Sequence, residues 1–305
     1  MRVPVPSSSG DRWPCAQRDA ACDLAGPDWA RLTEVGGKKE VFAGDLFALE
    51  GWAALVAGLG EDGAYAFAQR TALMYVRPDA LAAGTTRQIL AAAAAADFAP
   101  LAVMPVRLER CAVRSLWAYT CRWATAERLV LLDAVAALGP GLLVLWADAR
   151  GGPACARMTG VKGRNDPRRR AGGTLRDAGG SPNRALTLVH TPDEPADVVR
   201  ELGVLCSWPE RAALIGEASA RRAGAGVGLE VLEAAVGAVE RELPALGWPT
   251  GPRGPVRTPA VRELHAGPVA QRWAAVVAAS ASWPLLRRTP GPATWPEQET
   301  RSPWR

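Results

Sequence analysis

The feature that most constrains this 305-residue chain is a series of short apolar runs, each bounded by proline or glycine. Such runs are long enough for a strand and too short for a packed helix. Residues 71–76 (Thr-Ala-Leu-Met-Tyr-Val) run into Arg77-Pro78-Asp79, where a fixed φ and a missing N–H end the strand. Residues 99–108 form a second run, and Pro105 within it suits an edge strand or a bulge. Gly139-Pro140-Gly141 opens a third, residues 142–148, and residues 186–190 make a fourth. Between them, residues 86–96 are an alanine-rich helix, residues 113–123 and 127–138 read as helices, and residues 154–159 begin another. The order β-α-β-α-α-β-α-loop-β-α predicts an α+β fold, a ferredoxin-like antiparallel sheet sandwich with flanking helices.

The flanking composition divides the chain. Residues 1–45 lack sustained periodicity and read as a flexible N-terminal extension; residues 46–68 are a helical lead-in with Leu46, Leu49, Trp52, Leu55, Val56 and Leu59 on one face. Residues 69–207 form the central domain. Residues 208–305 are a helical and proline-rich extension, with an apolar stripe over 227–243, a Pro/Gly linker over 247–259 and a further helical stretch over 260–286. The last residues, with Trp295 and Trp304 among prolines and arginines, read as disordered.

Charge and cysteine content narrow the function classes. Thirty-six Lys and Arg against 31 Asp and Glu leave a formal charge of +5, concentrated in clusters at 162–164, 168–170 and 287–288. Solvated loops are one reading of these clusters and a nucleotide phosphate is the other. Nucleic acid is not an expected partner, because the basic residues are not interleaved with aromatics. Six cysteines without a CxxC pair read as reduced thiols. Residues 129–147 are the most apolar stretch, yet Asp133 and the Gly-Pro-Gly break divide them, so no membrane span is expected. A cytoplasmic protein is the expectation.

Only His190 and His265 are available for imidazole chemistry. His190 ends the run Leu186-Thr187-Leu188-Val189 and precedes Thr191-Pro192-Asp193-Glu194, which reads as a capping box with Thr191 at the N-cap and Pro192 at N1. A helix start beside the ring favours an anion, and a neutral imidazole is a competent nucleophile near pH 7. A hydrogen-bonded histidine at a strand end is the plain alternative. His265 reads as structural. Upstream, Lys162-Gly163-Arg164-Asn165-Asp166-Pro167 and Gly173-Thr174-Leu175-Arg176 supply the donors that phosphoryl transfer needs, and Glu201, eleven residues after His190, is placed to orient the ring.

Together these residues resemble the nucleoside diphosphate kinase family, whose strand one ends in Lys-Pro-Asp and whose later core reads Thr-Asn-Pro, Gly-Thr-Ile-Arg and Asn-x-x-His-Gly-Ser-Asp. The matching stretches here are Arg77-Pro78-Asp79, Asn165-Asp166-Pro167, Gly173-Thr174-Leu175-Arg176 and residues 187–193, over residues 69–207. The resemblance implies the fold already inferred, with ping-pong transfer of a γ-phosphate from ATP or another nucleoside triphosphate to a diphosphate, through a phosphohistidine at His190. It implies that Arg77, Arg176, Asn165, Thr187 and Tyr119 bind the nucleotide and its phosphates, that Glu201 supports the imidazole, and that Asp193 lies near Mg²⁺ and its waters. Trp117 or Trp123 would supply an aromatic face to the base. A homo-oligomer is implied as well. The family's lysine is Arg77 here, its threonine is Asn165, its asparagine is Thr187, and its second phosphate arginine aligns with Thr159, leaving Arg157 or Arg164 to substitute. A nucleotide-binding or scaffold protein without turnover, or an enzyme with a changed acceptor, are the other functions this pattern admits.

Overall fold

A computed structural model describes residues 25–222, 229–249 and 257–286. Its elements are α1 (Lys38–Phe42), α2 (Leu46–Arg70), β1 (Thr71–Val76), α3 (Pro78–Ala83), α4 (Thr86–Ala95), β2 (Phe98–Val106), α5 (Arg110–Leu116), α6 (Ala126–Ala136), β3 (Gly141–Asp148), α7 (Ala154–Lys162), α8 (Leu175–Ala178), β4 (Val189–His190), α9 (Pro195–Leu205), α10 (Trp208–Arg222), α11 (Leu229–Glu242), α12 (Val261–His265) and α13 (Val269–Ser282). The strands form one antiparallel sheet in the order β2-β3-β1-β4, the order of a split βαβ sandwich. The fold class is the one the element order predicts.

Both central strands are covered on both faces, which explains why they read as continuous apolar runs. Alternation along β1 and β3 sends Leu73, Tyr75, Leu143 and Leu145 into the core shared with α2, α9 and α10. It sends Ala72, Met74, Val76, Leu142, Val144 and Trp146 into the opposite core, shared with α4, α6, α11 and α13. β2 is an edge strand with a register shift between Pro100 and Ala102, so prolines sit where a missing donor costs least.

Helix α2 opens with Asp45, whose carboxylate accepts from the Ala48 N–H, and it is kinked at Gly60 (φ 71°). Leu46 is exposed, so the buried face starts at Ala48 and not at the first apolar residue of the periodic stretch. Where α2 crosses α9, Cβ atoms placed on Gly51 and Gly203 would stand 2.0 Å from the Val199 carbonyl oxygen and 1.9 Å from that of Phe47. The two backbones touch there, and only glycine permits it.

Several elements differ from the sequence reading. Strand β4 is two residues long, because Leu188 takes φ 64° and gives its N–H to Asp79 Oδ2 at 3.3 Å instead of to a ladder. Residues 113–123 are a helix ending at Leu116 followed by a 3₁₀ turn over Cys121–Trp123. The capping box lies one proline later than expected. Helix α9 begins at Pro195, with Glu194 at the N-cap and its N–H donating to Asp197 Oδ2 at 3.1 Å.

Residues 25–45, expected as part of a flexible extension, bury Trp29, Leu32 and Phe42 in the α2/α9 core. Thr33 and Lys38 both reach Glu194 at 2.6 Å, and Lys38 also binds Asp197 at 2.9 Å. The C-terminal helices α10 and α11 bury Leu214 and Ile215 on one side of the sheet, and Val236 and Val239 on the other. His265 is exposed at the end of α12. No helix among the described residues is long and apolar enough to cross a membrane. Residues 1–24, residues 250–256 of the expected linker, Val227, Arg287, Arg288, Trp295 and Trp304 lie outside the described residues, as do Cys15 and Cys22; the other four cysteines are free thiols.

Candidate functional site

The site is assembled where β1 and β4 end side by side. His190 stands opposite Tyr75 in the β1–β4 register, and its ring is mostly covered. Helix α9 packs under the sheet and brings Glu201 beneath that ring, with both carboxylate oxygens 2.9 Å from Nε2. A carboxylate only accepts, so the ring proton belongs on Nε2 and the lone pair on Nδ1. At 8% side-chain exposure Glu201 is nearly sealed from water, and the bond is correspondingly strong.

Arg77 leaves the end of β1 where Pro78 starts α3. Its Nη1 donates to Thr187 Oγ1 at 2.7 Å, its Nε faces Asp79 Oδ1 at 3.2 Å, and its guanidinium lies 5.5 Å from the Trp117 ring centre. Burial pushes the Asp79 carboxyl above its ordinary range, and Arg77 pulls it back. Trp117 in turn meets His190 edge-on, with ring centres 5.7 Å apart. This indole thus bridges the cation and the imidazole.

Arg176 projects from α8 and is held by two carbonyls, Gly163 at 2.8 Å and Val189 at 3.3 Å. Its Nε has no hydrogen-bond partner among the described residues. Burial and then the neighbouring charges of Arg77 and Arg170 press it down to about 9. A guanidinium so placed is stabilised by any anion that reaches it.

Arg77, Trp117, Arg176 and His190 line one cleft open to solvent, together with Thr187, Cys121 and the apolar residues Leu131, Leu132 and Val135 of α6, while Glu201 supports the ring from behind it. The cleft also contains Arg128 and Arg184, which sequence reasoning missed. Arg128 lies on a helix that was read correctly, and only the tertiary fold shows that its face turns to the cleft. Arg184 sits in an irregular loop with no motif of its own, where its Nη2 binds Asp166 at 2.7 Å.

Of the residues expected from sequence, the structure brings His190, Glu201, Arg77, Arg176, Thr187 and Trp117 together, while Tyr119, Asn165 and Asp193 are not in the cleft lining. The Tyr119 hydroxyl donates to Asp45 Oδ2 at 2.7 Å, beneath the Arg200 guanidinium and outside the cleft lining. Tyr119 lies in the turn that follows α5, ahead of the 3₁₀ turn, with its hydroxyl on the side of the N-terminal segment. Asn165 is buried and does not line the cleft; its carbonyl accepts from Arg170. Asp193 is engaged by Lys162 Nζ at 3.2 Å and by Thr159 Oγ1 at 3.1 Å. Lys162, buried and pushed down by that burial, also donates to the Thr191 carbonyl at 3.0 Å. Arg157 is bound to Asp148 and to the Ala96 carbonyl, and Arg164 is exposed, so neither replaces the missing phosphate arginine in the cleft.

No protein-family model matches the chain, and the curated proteins contain no match. Among solved structures it is similar to a nucleoside diphosphate kinase family protein from Babesia bovis, at 18% identity and TM-score 0.40 over 46% of this chain and 90% of that one. It is similar to the nucleoside diphosphate kinase of Aquifex aeolicus, at 22% identity and TM-score 0.39 over 46% of this chain and 97% of that one. The nucleoside diphosphate kinase of Halobacterium salinarum, solved in complex with CDP, gives 18% identity and TM-score 0.38 over 47% and 90% of the two chains. The sheet order described above stands on its own hydrogen-bonded register.

Proposed function

We propose that this chain is a nucleoside diphosphate kinase-like phosphotransferase, which moves the γ-phosphate of a nucleoside triphosphate to a nucleoside diphosphate or related acceptor through a phosphohistidine at His190. The observation that carries the reading is the pairing of His190 Nε2 with the buried Glu201 in a cleft rich in arginine. In the first half-reaction the Nδ1 lone pair forms the N–P bond while the bond from phosphorus to the β-phosphate oxygen breaks, and that electron pair leaves with the diphosphate. The second half-reaction reverses this: an acceptor phosphate oxygen attacks phosphorus, the N–P bond breaks, and Nδ1 recovers its lone pair. No net proton moves. Glu201 stabilises the positive charge that the ring gains, while Arg176 and Arg77 neutralise charge on the transferring group. Trp117 offers an aromatic face in the same cleft.

The protein's own groups do not fit a resident Mg²⁺. No carboxylate lines the cleft, Asp193 is committed to Lys162 and Thr159, and no cluster of three metal-binding side chains occurs among the described residues. In this reading Mg²⁺ belongs to the nucleotide substrate, and the arginines carry the charge neutralisation. The reading includes a cytoplasmic, homo-oligomeric protein. Incubating the purified chain with ATP and a panel of nucleoside diphosphates, beside the His190→Ala variant, tests it. Phosphate exchange in the native chain and none in the variant is expected; equal activity in both removes His190 from the mechanism.

A further inference from the structure

We propose that Asp45 is a positioning residue for His190: through Arg200 and Tyr119 it holds Glu201 and Trp117, the two groups that meet the imidazole, in place against each other. This rests on the phosphotransfer reading and adds to it the device that aims the nucleophile. Asp45 lies outside the cleft lining, at the N-cap of α2, where its Oδ1 accepts the Ala48 N–H at 3.2 Å. Its Oδ2 accepts two bonds of 2.7 Å, one from Arg200 Nε on α9 and one from the Tyr119 hydroxyl in the turn after α5. Three separate stretches of chain therefore meet on one carboxylate.

Both arms of this tie end at the imidazole. Neighbouring residues of an α-helix point about 100° apart, so Arg200 faces Asp45 while Glu201 places both carboxylate oxygens 2.9 Å from His190 Nε2. On the other arm the chain is gripped on either side of Trp117. Arg200 Nη2 donates to the Ser115 carbonyl at 2.9 Å before it, and the Tyr119 hydroxyl binds Asp45 after it. Between these anchors Trp117 meets His190 edge-on and lies against the Arg77 guanidinium. One carboxylate and one guanidinium thus join the helix that carries Glu201 to the turn that carries the indole.

These contacts are sheltered from water. The Arg200 and Asp45 side chains are 5% and 10% exposed, and the guanidinium lies 4.8 Å from the Tyr119 ring centre and 5.8 Å from that of the buried Phe42. Burial would raise the Asp45 carboxyl, but the bonds from Arg200 and Tyr119 hold it below its ordinary range, so both bonds are made to an ionised group. Without that carboxylate a buried guanidinium loses its counter-charge, and the groups on either side of His190 lose their common anchor. A displacement of about 1 Å at a reacting group costs on the order of a hundredfold in rate, so even slack below that length registers in turnover.

Asp45→Ser tests this in the full chain, because serine keeps an N-cap oxygen for α2 but is too short to reach Arg200 and Tyr119. With isotope-labelled histidine, NMR reads the rings of His190 and of the exposed His265 alone, and His190→Ala assigns them. In Asp45→Ser the His190 ring signals should move, since they depend on the Trp117 ring and the Glu201 carboxylate, while those of His265 stay. The kcat of phosphate exchange should fall about tenfold or more, with KM for ATP held to within about threefold. Tyr119→Phe removes a single oxygen from the tie and serves if Asp45→Ser does not fold; its changes should be smaller and in the same direction. The two changes combined should do little more than Asp45→Ser alone, because they cut one tie. Ile215→Ala opens a cavity under α10, which takes no part in these bonds, and should lower Tm while leaving the His190 signals and kcat as they are. Unmoved His190 signals, a loss confined to KM, effects that add in full, or an Ile215→Ala variant that moves the signals as far would each overturn the proposal. Signals that respond in a chain without phosphate exchange sink the reaction and leave Asp45 its hold on the ring. Exchange that proceeds at the native kcat in Asp45→Ser sinks only the role of Asp45.

Discussion

Replacing Glu201 by glutamine tests the group that supports the nucleophile in the proposed reaction. The change keeps shape and volume in a pocket where the carboxylate is 8% exposed, but removes its charge from the imidazole 2.9 Å away. A charge-assisted hydrogen bond contributes about 1.5–3 kcal/mol, and unit charges about 4 Å apart at an effective dielectric near 20 attract by about 4 kcal/mol. Only the part gained as the ring becomes cationic slows transfer, so about 2–4 kcal/mol is the expected barrier increase, or a rate lower by about thirtyfold to several hundredfold. Glutamine has a second effect in the same direction, since its amide can donate to Nε2 and so shift the ring proton onto Nδ1, the attacking atom. Rapid-quench measurement of phosphoenzyme formation at saturating γ-labelled ATP reads the rate, and titration of ADP reads binding. The rate should fall while the ADP affinity stays within about threefold. An unchanged rate, or a loss entirely in affinity, refutes the role given to Glu201.

Three further outcomes follow from the packing and charge arrangement. Gly203→Ala forces α2 and α9 apart at the Phe47 carbonyl, for a cost of about 2–3 kcal/mol and a Tm lower by roughly 5–10 °C in scanning fluorimetry, whereas Gly216→Ala on the exposed face of α10 should stabilise slightly; equal Tm values for the two would contradict the crossing. Asp197 is pushed up to about 6, chiefly by burial, from an ordinary 3.8, so its folded form binds protons more tightly than its unfolded form and its contribution to stability declines as pH rises from 3.8 to about 6. Denaturant unfolding should therefore show Asp197→Asn gaining up to about 3 kcal/mol on the native chain across that window and nothing above it; a difference independent of pH speaks against the shift. Inorganic phosphate at about a hundred times its Kd should add about 2.7 kcal/mol of stability, several degrees in Tm, because it binds the arginine-lined cleft of the folded chain, while sodium chloride of equal ionic strength should not.

The sheet was legible in the sequence because its two central strands are buried on both faces and punctuated by Pro78 and Pro140, signals that act locally. Strand β4 was overestimated because the left-handed Leu188 is imposed from a distance, by Asp79 accepting its N–H. The start of α9 was misplaced between two prolines, each near an acidic residue. The choice of Pro195 goes with contacts outside the local pattern, Thr191 against Thr159 and Glu194 against Thr33 and Lys38. His190, Glu201, Arg77 and Arg176 stand together in the structure, and the sequence singles them out because they fall in ordered motifs. Tyr119 stands outside the cleft lining, its hydroxyl bonded to Asp45, a contact no local pattern reveals, and Arg128 and Arg184 were invisible because only tertiary structure gathers them.

The central claim is that His190 carries a phosphate, and chemical stability of the label tests it most directly. After incubation with γ-labelled ATP, the chain should hold a label that survives alkali, is lost in acid, maps to the peptide containing His190, passes to added nucleoside diphosphate, and is missing from His190→Ala. A label that resists acid, or one that persists undiminished in His190→Ala, would contradict the account.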